Sequence, residues 1–524
     1  MNEKIDNTLI IAAAGSGKTT ELIRLIKHKT EELPDNKILA VITYTNAATN
    51  EIVDRLGGNT TIQSNVFIGT IHSFLIRFLI KPYGKILGLI SDELIISDYK
   101  IELEESKDSF VAKAIIEAQL SKKGIVTYDY IETLAKKILK DENVKERFCS
   151  RIQYLFVDEF QDSSKGQFEI IEKLRKEKRT QIILVGDPEQ RIMGFKNRII
   201  THPIDELQKP NGRKYILKRL ENNHRSSETI VRFINNFHSS IEQNWANTDI
   251  ESKNEIIFIT STEVKNILSE FNIICEDENY AQIRPKTRFF LAFENNLYGE
   301  FRSTSFNHKT KENEPLISSI LDFLSAFFNV RKSSFSETLS LDEIELRKKC
   351  LLLFNTINQN QQTNLEEILL SIEEIFNYKR AINEAKVQFD FKEKARVFVE
   401  SLTVRKSANN IGDCSSESKM YQDSFLTIHK SKGLQADAVL VVAKTEKDLL
   451  KWLEEDKDKR LNSNQDTCRL GYVAFSRPRE LLCIACLEPV GRETEQLLQN
   501  LKVNLYPVLE KIETQQLELE LVFS

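Results

Sequence analysis

The chain has 524 residues, 41% of them hydrophobic and 29% charged, proportions that exclude a disordered chain and leave room for three or four domains at about 150 residues each. With 73 Lys and Arg against 78 Asp and Glu the net charge is −5, which excludes a strongly basic nucleic-acid coat but not a local basic groove. Seven scattered cysteines, no apolar run approaching 18 residues and a start without signal-peptide shape point to a cytoplasmic protein with no membrane partner and no disulfide scaffold.

Residues 8–12 (TLIIA) read as a short buried strand, followed by a glycine-rich turn at Gly15–Gly17 and a helical pattern from Lys18 to Lys29. Strands at 38–44 and 64–69 flank a helix at 46–56. Strand–turn–helix units at this spacing predict a parallel sheet covered by helices. From 89 to 148 helix-forming stretches dominate, and sheet signals return at 153–158 and 181–186 as apolar runs suited to buried parallel strands. A second sheet is expected from 255–260 and 287–293, resuming at 425–429, 438–443 and 481–487 after a helical stretch at 311–407 and a polar linker at 406–420. The fold class is α/β, with two parallel-sheet domains each carrying a mainly helical insertion. The expected boundaries are 1–88 and 149–240 for the first domain around an insertion at 89–148, and 241–310 and 416–524 for the second around an insertion at 311–415.

The segment Ala12–Thr19 (AAAGSGKT) follows a strand and opens a helix, as a P-loop requires. Backbone N–H groups of Ala14, Gly15, Ser16 and Gly17 can wrap phosphate oxygens, Lys18 can reach the β and γ phosphates, and Thr19 can ligate Mg²⁺. The alternative is a chance Gly/Ser turn. Leu155–Glu159 (LFVDE) supplies a second half: Asp158, ending a buried strand, suits Mg²⁺, and Glu159 can orient or deprotonate an attacking water. This pair argues for hydrolysis of a bound nucleotide.

Asp158-Glu159-Phe160-Gln161-Asp162 resembles the DE(F/Y)QD motif of superfamily 1A helicases of the UvrD/Rep/PcrA type. Seven further segments match in order: the P-loop, Val41–Asn46 (VITYTN), Gly69–Ser73 (GTIHS), Gly186–Gln190 (GDPEQ), Leu220–Ser226 (LENNHRS), Thr427–Leu434 (TIHKSKGL) and Tyr472–Arg477 (YVAFSR). The resemblance implies ATP and Mg²⁺ held between two RecA-like domains. It makes Gln190 a γ-phosphate or water sensor and brings Arg225 and Arg477 to the γ-phosphate, where a planar guanidinium meets spread charge. Alone, either arginine reads as a surface ion pair. Tyr44 is implied as a base-stacking aromatic with Phe195 as a second, sequence-tolerant as a motor requires. Asn46, Thr70, His72 and His429 are implied nucleic-acid contacts. For the aromatics the competing reading is core packing.

The sequence departs from the family around the base. No Gln lies among the eleven residues before Ala12, the adenine-stacking Tyr is His224, the Arg after the P-loop Thr is Thr20, and the Glu of KGLE that follows Gly433 is Gln435. These changes loosen the adenine and ribose site while leaving the phosphate machinery intact, so relaxed nucleotide choice or low affinity is expected. Only 47 residues follow Arg477, which leaves no room for an appended nuclease, so any DNA cutting is expected from a partner nuclease.

Two readings follow. One is an ATP-dependent translocase or helicase moving 3′ to 5′ on single-stranded DNA, or on DNA with single-stranded ends, in repair or defence. The other is a DNA-sensing regulatory subunit that controls a nuclease with little unwinding of its own. In size and architecture the chain is similar to the UvrD-like subunit of Gabija-type anti-phage systems, which pairs with a nuclease. Cys483-Ile484-Ala485-Cys486 reads as buried strand cysteines rather than a metal or redox pair, and Glu454–Arg460 (EEDKDKR) as a solvated charged face.

Overall fold

A computed structural model of the chain describes residues 6–57, 62–91, 94–97, 109–192, 202–209, 214–249, 256–277, 285–294, 422–462 and 467–506, with isolated positions between 280 and 375. The strands in chain order are β1 (Thr8–Ala12), β2 (Ile38–Thr43), β3 (Val66–Thr70), β4 (Ile95–Ser97), β5 (Ile125–Thr127), β6 (Ile152–Val157), β7 (Gln181–Gly186) and β8 (Ile216–Leu220). They continue as β9 (Asn222–Asn223), β10 (Asn244–Trp245), β11 (Ile256–Ile259), β12 (Thr287–Ala292), β13 (Gln422–Thr427), β14 (Ala436–Ala443), β15 (Pro478–Cys486) and β16 (Val503–Tyr506).

Two six-stranded sheets result, ordered β3-β2-β6-β7-β1-β8 and β13-β12-β14-β15-β11-β16, and every pairing in them is parallel. Parallel strands carry crossover helices on both faces, so both faces must be apolar. In the first sheet Leu9, Ile11, Ala40, Ile42, Leu155 and Val157 pack on one side, while Ile10, Ala12, Leu39, Val41 and Phe156 pack on the other. Strand periodicity sends alternate residues of one run into two cores. The second sheet repeats this, with Phe258, Leu291 and Val441 in one core and Ile259, Phe290 and Leu440 in the other. The α/β class with two parallel sheets is as expected.

The same alternation settles the CxxC. Cys486 enters one core and Cys483 the opposite one, and both are buried and free, so the two thiols share no site.

Three local readings change. The expected strand 425–429 ends at Thr427, whose hydroxyl accepts the Lys430 N–H at 3.3 Å and caps a short helix, Ile428–Ser431. The helix Glu228–Asn235 falls before the expected boundary at 240/241, yet its Ile230, Phe233 and Ile234 pack into the second sheet's core. In the EEDKDKR run Lys457, Asp458 and Lys459 are exposed as a solvated face should be, but Arg460 is fully buried. The insertion expected at 311–415 lies outside the described residues apart from isolated positions. No helix among the described residues is long and apolar enough to cross a membrane.

Candidate active site

The loop after β1 turns through Ala13–Gly17 into the helix Lys18–Glu31. Gly15 and Gly17 hold φ values of 77° and 76°, a left-handed conformation that costs little only for glycine. A Cβ at Gly15 would also stand 2.6 Å from the Asn223 side chain. That closeness reflects a clasp. Asn223 Nδ2 and Gln243 Nε2 donate to the Ala14 carbonyl at 3.1 and 2.9 Å, the His224 N–H donates to the Gly15 carbonyl at 2.9 Å, and the Ala14 N–H donates to the Tyr472 hydroxyl at 3.1 Å. Both backbone polar groups of Ala14 are thus engaged within the protein. This differs from the expectation that Ala14 offers an N–H to phosphate, and leaves that task to Gly15, Ser16 and Gly17.

Lys18 pairs with Glu159, and its Nζ lies 3.7 Å from Asp158 Oδ1. Burial opposes its charge, but Glu159 and Asp158 outweigh burial and hold the ammonium above the usual lysine range. For Glu159 burial pushes the carboxyl up, yet Lys18 and then Lys432 override it and keep the group ionised. Asp158 goes the other way: burial first, with the neighbouring Glu159 charge adding, raises it against the pull of Lys18. Glu159 has φ 48°, a strained position for a non-glycine residue that aims its side chain back at the loop. Gln161 bridges onward, donating to Glu159 and accepting the Asp187 N–H at 3.0 Å. Asp162 pairs with Lys432 of the second domain, whose Nζ is also 3.8 Å from Glu159.

Ser16 Oγ and Asp158 Oδ1 are buried without a hydrogen-bond partner. Buried polar atoms are ordinarily satisfied, so two such oxygens beside a P-loop lysine fit a hydrated cation and phosphate. Thr19, half-buried at the start of the helix, and Asp158 are hard oxygen donors of the kind Mg²⁺ takes. No cluster of three or more His, Cys, Asp or Glu suited to a metal occurs among the described residues. Thr19 and Asp158 are the residues that would hold a magnesium ion here. Thr20 faces solvent.

Arg477 approaches from the second domain, and Arg225 from the segment between β8 and the helix Glu228–Asn235. Arg477, 1% exposed, donates to the carbonyls of Val473 and Leu434 at 2.8 and 3.2 Å, to Ser476 Oγ at 2.8 Å and to Gln190 Oε1 at 3.4 Å. Arg225 donates to the Ser476 carbonyl at 3.0 Å. Neither forms an ion pair with a described carboxylate, so the surface-ion-pair reading fails. Burial, and then the charge of Arg477, lowers Arg225 to about 9, and burial lowers Arg477. Two buried cations that repel one another gain from an arriving anion. Gln190 donates to Asp187 at 2.7 Å, so its amide lies between the first domain's carboxylate and Arg477. His224 is exposed, 3.9 Å from where a Cβ on Gly17 would stand. Gly433, at φ 81°, and Gln435 are exposed on the loop after Lys432.

The implied nucleic-acid residues gather at the carboxyl ends of neighbouring strands. Tyr44, 40% exposed, follows β2, and Asn46 opens the next helix. Thr70 ends β3 and caps the helix Ile71–Leu75. The His72 ring lies 4.5 Å from Tyr128. His429 stands 5.9 Å from Phe293, which is 45% exposed just past β12. Phe195 lies outside the described residues. Tyr44 is too open for the core-packing alternative.

Sequence reasoning passed over Lys432, Tyr472, Asn223 and Gln243. The first three stand inside recognised motifs, and their place in those motifs was the usable signal. Gln243 carries no such signal.

A family model described as an AAA domain matches residues 2–196. The Gabija protein GajB of Bacillus cereus (strain VD045) is 23% identical over 95% of this chain and 96% of its own length. The ATP-dependent DNA helicase Rep of Buchnera aphidicola is 29% identical over 49% of this chain, and PcrA of Staphylococcus aureus 28% over 43%. The matches span 45% of that Rep and 37% of PcrA, so the chain covers less than half the length of these helicases. Eight motifs in family order, distributed over two like-ordered parallel sheets, agree with these matches: the chain is similar to UvrD-like helicases of superfamily 1A.

Proposed function

We propose that the protein is an ATP-driven motor on single-stranded DNA, moving 3′ to 5′. The observation that carries this is the meeting of Lys18, Glu159 and Gln190 from the first domain with Arg477 from the second and Arg225 from the segment between them. Lys18 and the loop N–H groups hold the phosphates. Glu159, kept anionic, accepts a proton from the attacking water, and Gln190 orients that water. Arg225 and Arg477 offset charge on the leaving phosphates. Thr19 and Asp158 would hold Mg²⁺, which supplies neutralising charge across the phosphates. Because Arg477 belongs to the second domain and Arg225 hydrogen-bonds to it there, nucleotide draws the domains together and hydrolysis releases them. Tyr44, Asn46, Thr70, His72, Phe195 and His429 are the proposed DNA contacts.

Steady-state ATP hydrolysis with and without single-stranded DNA tests this. DNA should stimulate turnover, and absence of stimulation would remove the motor. A second reading, a DNA-sensing subunit controlling a partner nuclease in anti-phage defence, is favoured by the end-to-end match to GajB. Little hydrolysis until a nuclease is added would support it.

The departures at His224, Thr20 and Gln435 predict weak base discrimination. GTP should compete with ATP within about 10²-fold, since a site without a dedicated hydrogen bond to the base separates related ligands by only about 1–3 kcal/mol. Competition of ATP hydrolysis by unlabelled GTP reads this directly. Strong ATP selectivity would overturn it.

A further inference from the structure

We infer that Glu189 and Arg460 form a buried latch between the two domains that positions Gln190 against Arg477. The inference rests on the reading of the cleft given above. Glu189 lies in the single turn Pro188–Gln190 at the end of β7. Arg460 lies in the helix Lys457–Asn462, between β14 and β15 of the second sheet. Both side chains have essentially no exposure. Arg460 Nη2 donates to Glu189 Oε2 at 2.9 Å across 271 residues of sequence.

Each partner is further fixed. Glu189 Oε1 accepts the Ser239 hydroxyl at 2.6 Å and its N–H at 3.3 Å. Arg460 Nη1 donates to the Glu454 carbonyl at 2.9 Å, and its guanidinium stacks 5.8 Å from the Phe237 ring centre. Arg469, also buried, donates to the Arg460 carbonyl at 3.0 Å.

A buried pair is a costly way to gain stability, and its best-attested use is to enforce one arrangement over others. The arrangement enforced here is visible. On one side of Glu189, Asp187 accepts from Tyr472 at 3.4 Å and from His238 Nε2 at 3.0 Å. His238 Nδ1 accepts two backbone N–H groups, so Nε2 carries the proton. On the other side Gln190 meets Arg477. The turn bearing the sensor is therefore gripped at three successive acidic or amide side chains, and Arg460 is the charged grip that lies outside every recognised motif. Arg460 does not reach the cleft; it acts through the turn.

The test uses the full chain carrying Arg460→Met, Arg460→Lys, Glu189→Gln or Glu189→Gln with Arg460→Met. DNA-stimulated kcat should fall by up to about 10²-fold in Arg460→Met, the scale of a small misplacement of a reacting group, with KM for ATP little changed. Arg460→Lys should recover part of the loss, and the double variant should be no slower than Arg460→Met, because the two residues act as one unit. The double variant leaves neither latch residue as an unpaired buried charge, so it carries the test if a single variant fails to fold. A second readout needs no hydrolysis: energy transfer between dyes on cysteines at the exposed positions Asp35 and Gln499, with Cys414→Ser as background. Breaking the latch should lengthen or broaden this distance. A folded variant with wild-type kcat and an unchanged distance overturns the proposal. A wild-type protein without hydrolysis instead removes the reading of the cleft, while the distance still judges the latch.

Discussion

Glu159→Gln lowers DNA-stimulated ATP hydrolysis by about 10²–10⁴-fold, the contribution of a positioned general base. The substitution preserves shape but leaves one acceptor oxygen where the carboxylate offered two, one to Lys18 and one to Gln161. It removes the one negative charge that Lys18 and Lys432 hold in place. Nucleotide affinity should therefore stay near wild type or rise, because a bound phosphate no longer competes with Glu159 for the Lys18 ammonium. Turnover and binding of a fluorescent ATP analogue, measured on one preparation, separate these effects. The pH profile adds a check. Lys18 and Lys432 keep the Glu159 carboxyl ionised through neutral and mildly acidic pH, so activity should show no acid limb from this group between about pH 5 and 8. A Gln variant that turns over like the wild type would move the base elsewhere.

Arg477→Ala should cost about 10³–10⁵ in kcat, the range for an arginine that meets transferring phosphate. Its guanidinium is buried, bonded to two carbonyls, a hydroxyl and the Gln190 amide, and paired with no described carboxylate. Its charge has no direct carboxylate partner among the described residues and gains a partner when an anion arrives. Arg477→Lys should rescue little, since an ammonium cannot reproduce several directed N–H bonds of a planar fork. Loss of the carbonyl contacts will also lower the melting temperature, so single-turnover hydrolysis is compared below each variant's transition. If Arg477→Ala hydrolyses ATP normally while merely melting earlier, the residue is structural and Arg225 alone serves the phosphate.

Much of the catalytic side was legible because its parts are contiguous. A strand, two glycines, Gly-Lys-Thr and a helix leave few alternatives for the backbone, and the glycines do adopt left-handed φ. Asp158-Glu159 terminate an apolar run that could only be a buried strand. The contacts around them were less legible. Tyr472 sits within an apolar helix, where its ring reads as core and its hydroxyl goes unnoticed, yet that hydroxyl joins the P-loop backbone to Asp187. Gln243 gives no local sign that its amide reaches Ala14.

What the sequence by itself determined was the fold class, the nucleotide loop, the ordered motifs and hence the family resemblance, because apolar periodicity and short-range spacing act within a few residues along the chain. What only the tertiary structure decided was which polar groups are taken from water. Lys457 and Lys459 stay exposed while Arg460, one residue on, is sealed against Glu189, and Cys483 and Cys486 enter different cores. Ala14, assigned to phosphate by its motif, is occupied by Asn223, Gln243 and Tyr472. The desolvation of a charge or an amide depends on partners hundreds of residues away, and no local pattern encodes that distance.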